Sequence, residues 1–151
     1  MEINVSILGE HASVVEIPVA TEGALTYEDK YLRGNNKSSS SGMASLSRII
    51  DPKDLAPEIK DQVVKYALKA YAKLDCLGVS RFDFIMDLAS NTLYFNELNP
   101  VPGSNAFYLW HKTSPPVLYT HLIDSLIEQA LARKITALSQ QRTLGFKALS
   151  N

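Results

Sequence analysis

Ser80-Arg81-Phe82-Asp83-Phe84-Ile85-Met86-Asp87, then Leu88-Ala89-Ser90-Asn91, then Thr92-Leu93-Tyr94-Phe95-Asn96-Glu97-Leu98-Asn99 is the stretch on which the fold turns. Two strand-like runs flank four residues of turn material, which predicts an antiparallel hairpin centred near Ser90. Period-2 geometry puts Arg81 and Asp83 on one face of the first strand and Glu97 and Asn99 on one face of the second. In a hairpin with that centre, Asp83 faces Glu97 and Arg81 faces Asn99, so the four polar groups converge. A turn one residue longer or shorter would separate them, so the register is an assumption at this point.

Opposed carboxylates destabilise a bare sheet, so something should compensate Asp83 and Glu97. A hard divalent cation is one answer, because Asp83, Glu97 and Asn99 all offer oxygen donors. Mg²⁺ commonly takes few protein oxygens and completes its shell with water and substrate phosphate. Arg81 beside them suits a phosphoryl group, since its planar fork matches phosphate oxygens. The plainer alternative is a solvated outer sheet face with Arg81 salt-bridged to a carboxylate, and spacing alone favours it.

Working outward, Pro100-Val101-Pro102-Gly103 ends the second strand, because two prolines cannot continue a ladder. Upstream, Pro57 and Glu58 suit a helix start, and Ile59, Val63, Ala67, Ala70 and Leu74 recur on one helical face before Gly78. Cys76 at its end reads as a small core residue. At the amino end, Ile3, Val5 and Ile7 alternate with polar or small residues, the pattern of a half-buried strand. Ser13 to Val19 is a second β-rich run, close enough to form a hairpin with the first. Asn35-Asn36-Lys37-Ser38-Ser39-Ser40-Ser41-Gly42 cannot bury apolar area and reads as a mobile surface loop, a linker or a lid. Pro115-Pro116 is expected to open a last helix with Leu118, Leu122, Ile123, Leu126, Ile127, Ala130 and Leu131 as its stripe. From Lys134 the hydrophobicity thins into a frayed helix or loose tail.

Composition narrows the function classes. The chain has 151 residues, 46% hydrophobic and 21% charged, and a formal net charge of -1. That is a globular balance, with no basic surplus for nucleic acid or an anionic membrane. One cysteine permits neither an intrachain disulfide nor a cysteine-built zinc site. No apolar run reaches the roughly 20 residues of a transmembrane helix. The first residues lack the features of a signal peptide. A cytoplasmic location is the expectation. His11, His111 and His121 share no metal-ligand spacing, and Trp110 reads as cover for the core.

The wording of the hairpin adds to its spacing. Ser80-Arg81-Phe82-Asp83-Phe84 followed by Phe95-Asn96-Glu97-Leu98-Asn99-Pro100-Val101-Pro102-Gly103 resembles the carboxyl-terminal motif pair of the D-alanine–D-alanine ligases, an ATP-grasp family. Glu2 to Gly9 resembles the family's strand that begins with a ribose-binding glutamate. Tyr27-Glu28-Asp29-Lys30-Tyr31 resembles its mobile-loop segment, and His121 to Ile127 its last helix. The resemblance covers roughly Glu2 to Arg133. It implies an α+β fold, the carboxyl-terminal ATP-grasp subdomain, mainly antiparallel sheet packed with helices. Residues 1–133 would be that part of the domain, with a mobile loop at about 26–47, and 134–151 a helical or loose tail. The amino-terminal substrate domain and the upstream lysines would lie outside this chain, which would then be an incomplete carboxyl-terminal piece, inactive alone.

The resemblance further implies ATP- and Mg²⁺-dependent joining of two D-alanines through an acyl phosphate, for peptidoglycan precursor synthesis. Asp83 and Glu97 would hold one Mg²⁺, Glu97 and Asn99 a second, with Mn²⁺ as a substitute. Arg81 would stabilise the transferring phosphoryl group, and the Gly103 amide would donate to the developing oxyanion. Glu2 would accept from the ribose hydroxyls, with Ile85 and Phe95 as apolar walls near adenine, although Phe95 also suits the core. Lys30 and Tyr31 would close over the site and exclude water. The partners implied are small molecules, ATP and D-alanine, with neither nucleic acid nor membrane, in a homodimeric full-length protein. One departure stands out. Tyr108 occupies the place where the family usually has a serine that binds the acceptor's carboxylate, leaving Tyr108, or Ser104 or Asn105 in its stead, as acceptor-binding candidates. The alternatives are an ATP-grasp ligase with a different amine acceptor, or a non-catalytic remnant.

Overall fold

The computed structural model describes residues 1–19 and 47–148. The expectations placed on Lys30, Tyr31 and most of the 26–47 loop lie outside the described residues. Six strands form one sheet: β1 (Glu2–Leu8), β2 (His11–Ala12), β3 (Glu16–Val19), β4 (Ser47–Ile50), β5 (Val79–Asp87) and β6 (Thr92–Asn99). The order is β4-β3-β1-β5-β6, with β2 on β1, and every pairing is antiparallel. The helices are α1 (Pro57–Lys73), the single turn α2 (Phe107–Trp110) and α3 (Tyr119–Ala148).

β1 is the centre of the sheet, paired with β5 from Glu2↔Ile85 to Leu8↔Val79. It is not half-buried as its alternation predicts. Asn4 and Ser6 are as buried as Ile3, Val5 and Ile7, because both faces of a central strand are covered here. One face carries Ile3, Val5, Ile7, Phe82, Phe84 and Met86, and α1 lays Val63, Ala67 and Tyr71 onto it. These helix residues are spaced by four, one stripe of the 3.6-residue period. Tyr71 replaces the expected Leu74, which caps the helix and is exposed. The chain leaves the helix through left-handed Asp75 and Gly78, and Tyr71 donates its hydroxyl proton to the Gly78 carbonyl at 2.8 Å.

A second cluster joins α3 to the sheet end through Leu8, Val79, Trp110 and Leu122, with Leu126 beside them. Gln129 Oε1 accepts from the Gly78 amide at 3.1 Å and fixes α3 over that turn. The last helix does not open at Pro115-Pro116. The Val117 amide turns back to the Trp110 carbonyl at 3.1 Å, and the helix begins at Tyr119. Only Leu122 of the expected stripe is fully buried, whereas Leu118, Ile127 and Leu131 are exposed. Beyond Lys134 the chain is helical as far as Ala148.

Phe82 is fully buried between Tyr71 and Phe95, with ring centroids 6.4 and 6.2 Å away. Phe82→Ala is therefore expected to lower unfolding stability by roughly 3–5 kcal/mol, combining lost transfer energy with a cavity. The exposed Leu88→Ala should stay within about 0.5 kcal/mol of the parent. Urea denaturation of both variants checks this, and equal midpoints would contradict the assigned core.

Candidate active site

The face opposite α1 carries the polar candidate residues of the β5–β6 hairpin, in rows set by strand register. One row is Glu2, Ile85 and Tyr94; the next is Glu16, Asn4, Asp83 and Glu97; the third is Ser6, Arg81 and Asn99. Successive rows lie about 7 Å apart, two residues along a strand. The hairpin thus sets Asp83 opposite Glu97 and Arg81 opposite Asn99.

That register arises differently from a simple hairpin. Near the turn the pairs run Asp87↔Thr92 to Phe84↔Phe95, and continuing in step would set Asp83 against Asn96. Instead the register shifts between Asp83 and Phe84, leaving Asn96 unpaired as a bulge. An extra residue in one strand re-aims the side chains that follow it. In step, Glu97 would face Phe82 on the helix side; the bulge returns it to Asp83. The same bulge puts Phe95 and Glu97 on opposite faces although they are two residues apart. Phe95 packs edge-on against Phe84 at 5.7 Å, on the α1 side. Phe95 and Ile85 therefore do not form two walls of one pocket, and of the two only Ile85 lies on the site face, beside Glu2.

Arg81 and Asp83 form a forked pair, Nε to Oδ1 and Nη2 to Oδ2, each 2.8 Å. Asp83 is 2% exposed, so a lone charge there would be costly, and the fork supplies its partner. The same pair pushes Arg81 further up from its ordinary value, mainly through the Asp83 hydrogen bonds and against desolvation. Glu97 is exposed and makes no hydrogen bond or ion pair among the described residues. Among those residues no group of three or more His, Cys, Asp or Glu side chains could hold a metal ion, the three histidines included. The donor set of Asp83, Glu97 and Asn99 is two carboxylates and an amide in adjacent register positions. Its chemistry fits a hard cation that keeps much of its shell for water or phosphate. The Asp83 oxygens would have to serve Arg81 as well, which their remaining lone pairs allow.

Sequence reasoning missed Asn4, Glu16 and Arg48. Asn4 and Glu2 are period-2 mates on β1, and that signal was available. Glu16 joins only through the Asn4↔Glu16 pairing, and Arg48 through Pro18↔Arg48. Glu16 is 3% exposed, and its Oε1 accepts from the Tyr108 hydroxyl at 2.7 Å and from Asn4 Nδ2 at 3.5 Å. Asn4 Nδ2 also donates to Glu2 Oε1 at 3.1 Å. Asn4 Oδ1 and Glu16 Oε2 are buried without a hydrogen-bond partner. Arg48 lies 4.6 Å over the Tyr108 ring, with Nη1 3.7 Å from Glu16 Oε2.

Tyr108 reaches this face from α2, after the turn Gly103–Ala106. Ser104, Asn105 and Ala106 there take φ of 50°, 52° and 49°. Three consecutive left-handed non-glycine residues are costly, and such strain persists only where the surroundings impose it. Here the Asn105 amide is tied to the Pro102 carbonyl at 2.9 Å, and Ala106, Leu109 and Trp110 are buried. Ser104 and Gly103 stand exposed at the turn.

Desolvation and the Glu16 hydrogen bond push Tyr108 from its ordinary value of 10.0 up to about 12. Its neutral form is favoured in the folded state, so the contribution to stability is complete below about pH 10 and is lost as pH rises towards 12. Ultraviolet titration should therefore show a late tyrosine step near 12 that is absent in Tyr108→Phe, while Tyr71, also pushed up by burial, stays late in that variant. Titration of all tyrosines together near 10 would contradict the Glu16–Tyr108 bond.

The family described as D-ala D-ala ligase C-terminus matches residues 1–128. A D-alanine–D-alanine ligase of Solibacter usitatus is 32% identical over 139 residues, covering 87% of this chain and 39% of its own length. One from Prosthecochloris aestuarii is 34% identical over 140 residues, covering 89% and 36%. The chain thus spans well under half of these relatives. Among solved structures, the D-alanine–D-alanine ligase of Coxiella burnetii aligns with a TM-score of 0.70 at 22% identity, over 99% of this chain and 37% of that one. A Bacillus anthracis D-alanine–D-alanine ligase complexed with ATP aligns with a TM-score of 0.58 at 19% identity, over 90% and 40%. These structures share the antiparallel sheet and helices described above, and the match over residues 1–128 shows that the chain belongs to the D-ala D-ala ligase C-terminus family.

Proposed function

We propose that this chain supplies the carboxyl-terminal side of the nucleotide cleft in an ATP-dependent carboxylate–amine ligase that joins two D-alanines for peptidoglycan precursors. The observation that carries the reading is the register of Arg81 and Asp83 against Asn99 and Glu97 on one sheet face. Full-length relatives bear the ligase name, and a structural neighbour was solved with ATP. In this reaction one D-alanine carboxylate attacks the terminal phosphorus of ATP and ADP leaves. The second amine then displaces phosphate from the acyl phosphate.

The chain's own residues divide that work. Glu2, in the row with Ile85, accepts from the ribose hydroxyls while Ile85 covers the base. Arg81, held flat by Asp83, presents its remaining N–H groups to the phosphoryl oxygens. The Gly103 amide, at the head of the exposed turn, donates to the oxyanion of the acyl carbon. Asp83, Glu97 and Asn99 would hold Mg²⁺, whose chemistry is to neutralise charge on the phosphates during transfer. Lys30 and Tyr31 close the site in this reading. Transfer of this kind depends on positioning by both walls of a cleft, so the 151 residues alone should be inactive.

A different amine acceptor is the second reading, favoured by Tyr108 giving its proton to Glu16. The assay is phosphate release from ATP dependent on D-alanine. It is run on the 151-residue chain and on the same residues joined to the preceding part of a full-length relative. The joined protein should turn over and the chain alone should not. Glu97→Gln in the joined protein should slow it roughly a hundredfold with the circular dichroism unchanged. Full activity of that variant would remove the metal assignment, and turnover with another amine but not D-alanine would select the second reading.

A further inference from the structure

Among the described residues two arginines stand on the site face, and they differ in what already occupies them. Arg81 spends Nε and Nη2 on Asp83. The Arg48 side chain makes no hydrogen bond among the described residues, and its charged neighbour among them, Glu16 Oε2, is 3.7 Å from Nη1. The Arg48 side chain is 26% exposed, and its Cζ lies over the Tyr108 ring, 4.6 Å from the centroid. A guanidinium stacked on an aromatic face has lost rotamer freedom beforehand, while the edge turned from Glu16 meets no acceptor among the described residues.

Tyr108 is the other candidate to receive an anion here, and its proton is committed. The hydroxyl donates to buried Glu16 at 2.7 Å, leaving only acceptor lone pairs to an incoming group. A carboxylate meeting Tyr108 would meet lone pairs on lone pairs, whereas one meeting Arg48 would meet a planar fork. Glu16 tempers the charge of Arg48. It also fixes the position of both Arg48 and Tyr108, since it is buried and touches each.

We propose that Arg48, stacked on Tyr108, binds the carboxylate of the acceptor amino acid. This rests on the ligase reading above, and it assigns the recognition of that carboxylate to a β4 side chain rather than to the Tyr108 hydroxyl.

The test is a titration of the isotope-labelled 151-residue chain, followed by amide and arginine Nε–H signals. The probes are acetate, D-alanine, D-alaninamide and methylammonium. Acetate and D-alanine should shift Arg48 Nε–H and the Tyr108 amide saturably, and the two probes without a carboxylate should not. Arg48→Gln should weaken acetate binding about tenfold or more, with Arg48→Lys between, since a point charge replaces a fork. Tyr108→Phe should weaken it less than Arg48→Gln. The reverse order, or unchanged binding in Arg48→Gln, would overturn the proposal. If Arg48→Gln does not fold, the position of Arg48→Lys relative to Tyr108→Phe decides. Carboxylate binding at Arg48 without D-alanine-dependent phosphate release in the joined protein would retain the subsite and reject the ligase reading. Release with no Arg48 shift would do the opposite.

Discussion

The antiparallel pairing of β1 with β5 is the constraint on which the molecule rests. It runs unbroken from Glu2↔Ile85 to Leu8↔Val79, and both strands are covered on both faces for most of their length. A slip of one residue would carry Ile3, Val5 and Ile7 to the polar face and Asn4 and Ser6 under α1. The hydrophobic face cannot accept that exchange, because Val63, Ala67 and Tyr71 already close it. Burial on one side therefore fixes the chemistry on the other. Arg81, Asp83 and Ile85 are where they are because Phe82, Phe84 and Met86 have nowhere else to go.

The polar face is assembled at an energetic cost. Asn4, Glu16 and Asp83 are nearly inaccessible to water, and burying a charge is unfavourable without a partner. Asp83 is matched by the Arg81 fork, and Glu16 by Tyr108, Asn4 and, more distantly, Arg48. The compensation is incomplete, since Asn4 Oδ1 and Glu16 Oε2 have no hydrogen-bond partner. The left-handed run Ser104–Ala106 adds strain next to the same face. The local cost is thus concentrated around one group of residues, on a sheet otherwise tightly packed, which is consistent with the site proposed there.

The bulge at Asn96 connects these two features. It brings Glu97 and Asn99 opposite Asp83 and Arg81 in a hairpin whose four-residue turn would otherwise set them one position apart. On the turn side of Asn96, Leu93 and Phe95 serve the apolar face; beyond it, Glu97 and Asn99 serve the polar one. One strand thus contributes to both layers at positions a regular strand could not combine. Phe95, half exposed, borders a groove on the α1 side with Tyr66, Lys69 and Lys73, separate from the polar rows.

The sequence by itself determined the local elements. Pro57 and the four-residue spacing of Val63 and Ala67 made α1, and the alternation and short turn made the β5–β6 hairpin, whose Asp83–Glu97 pairing then needed the bulge at Asn96. The motif wording tied Arg81, Asp83, Glu97 and Asn99 to a ligase family, and the matching family supports that reading. All of these are short-range signals, carried by residues close together in the chain. Tertiary structure decided the rest. That β1 is a central strand depends on pairing with β5 across some eighty residues, which no local period encodes. Glu16, Arg48 and Tyr108 meet only because β3, β4 and α2 converge over one face. Phe95 changed sides because an unpaired residue costs less than turning Glu97 into the core, a comparison settled by packing against α1 and not by any pattern along the chain.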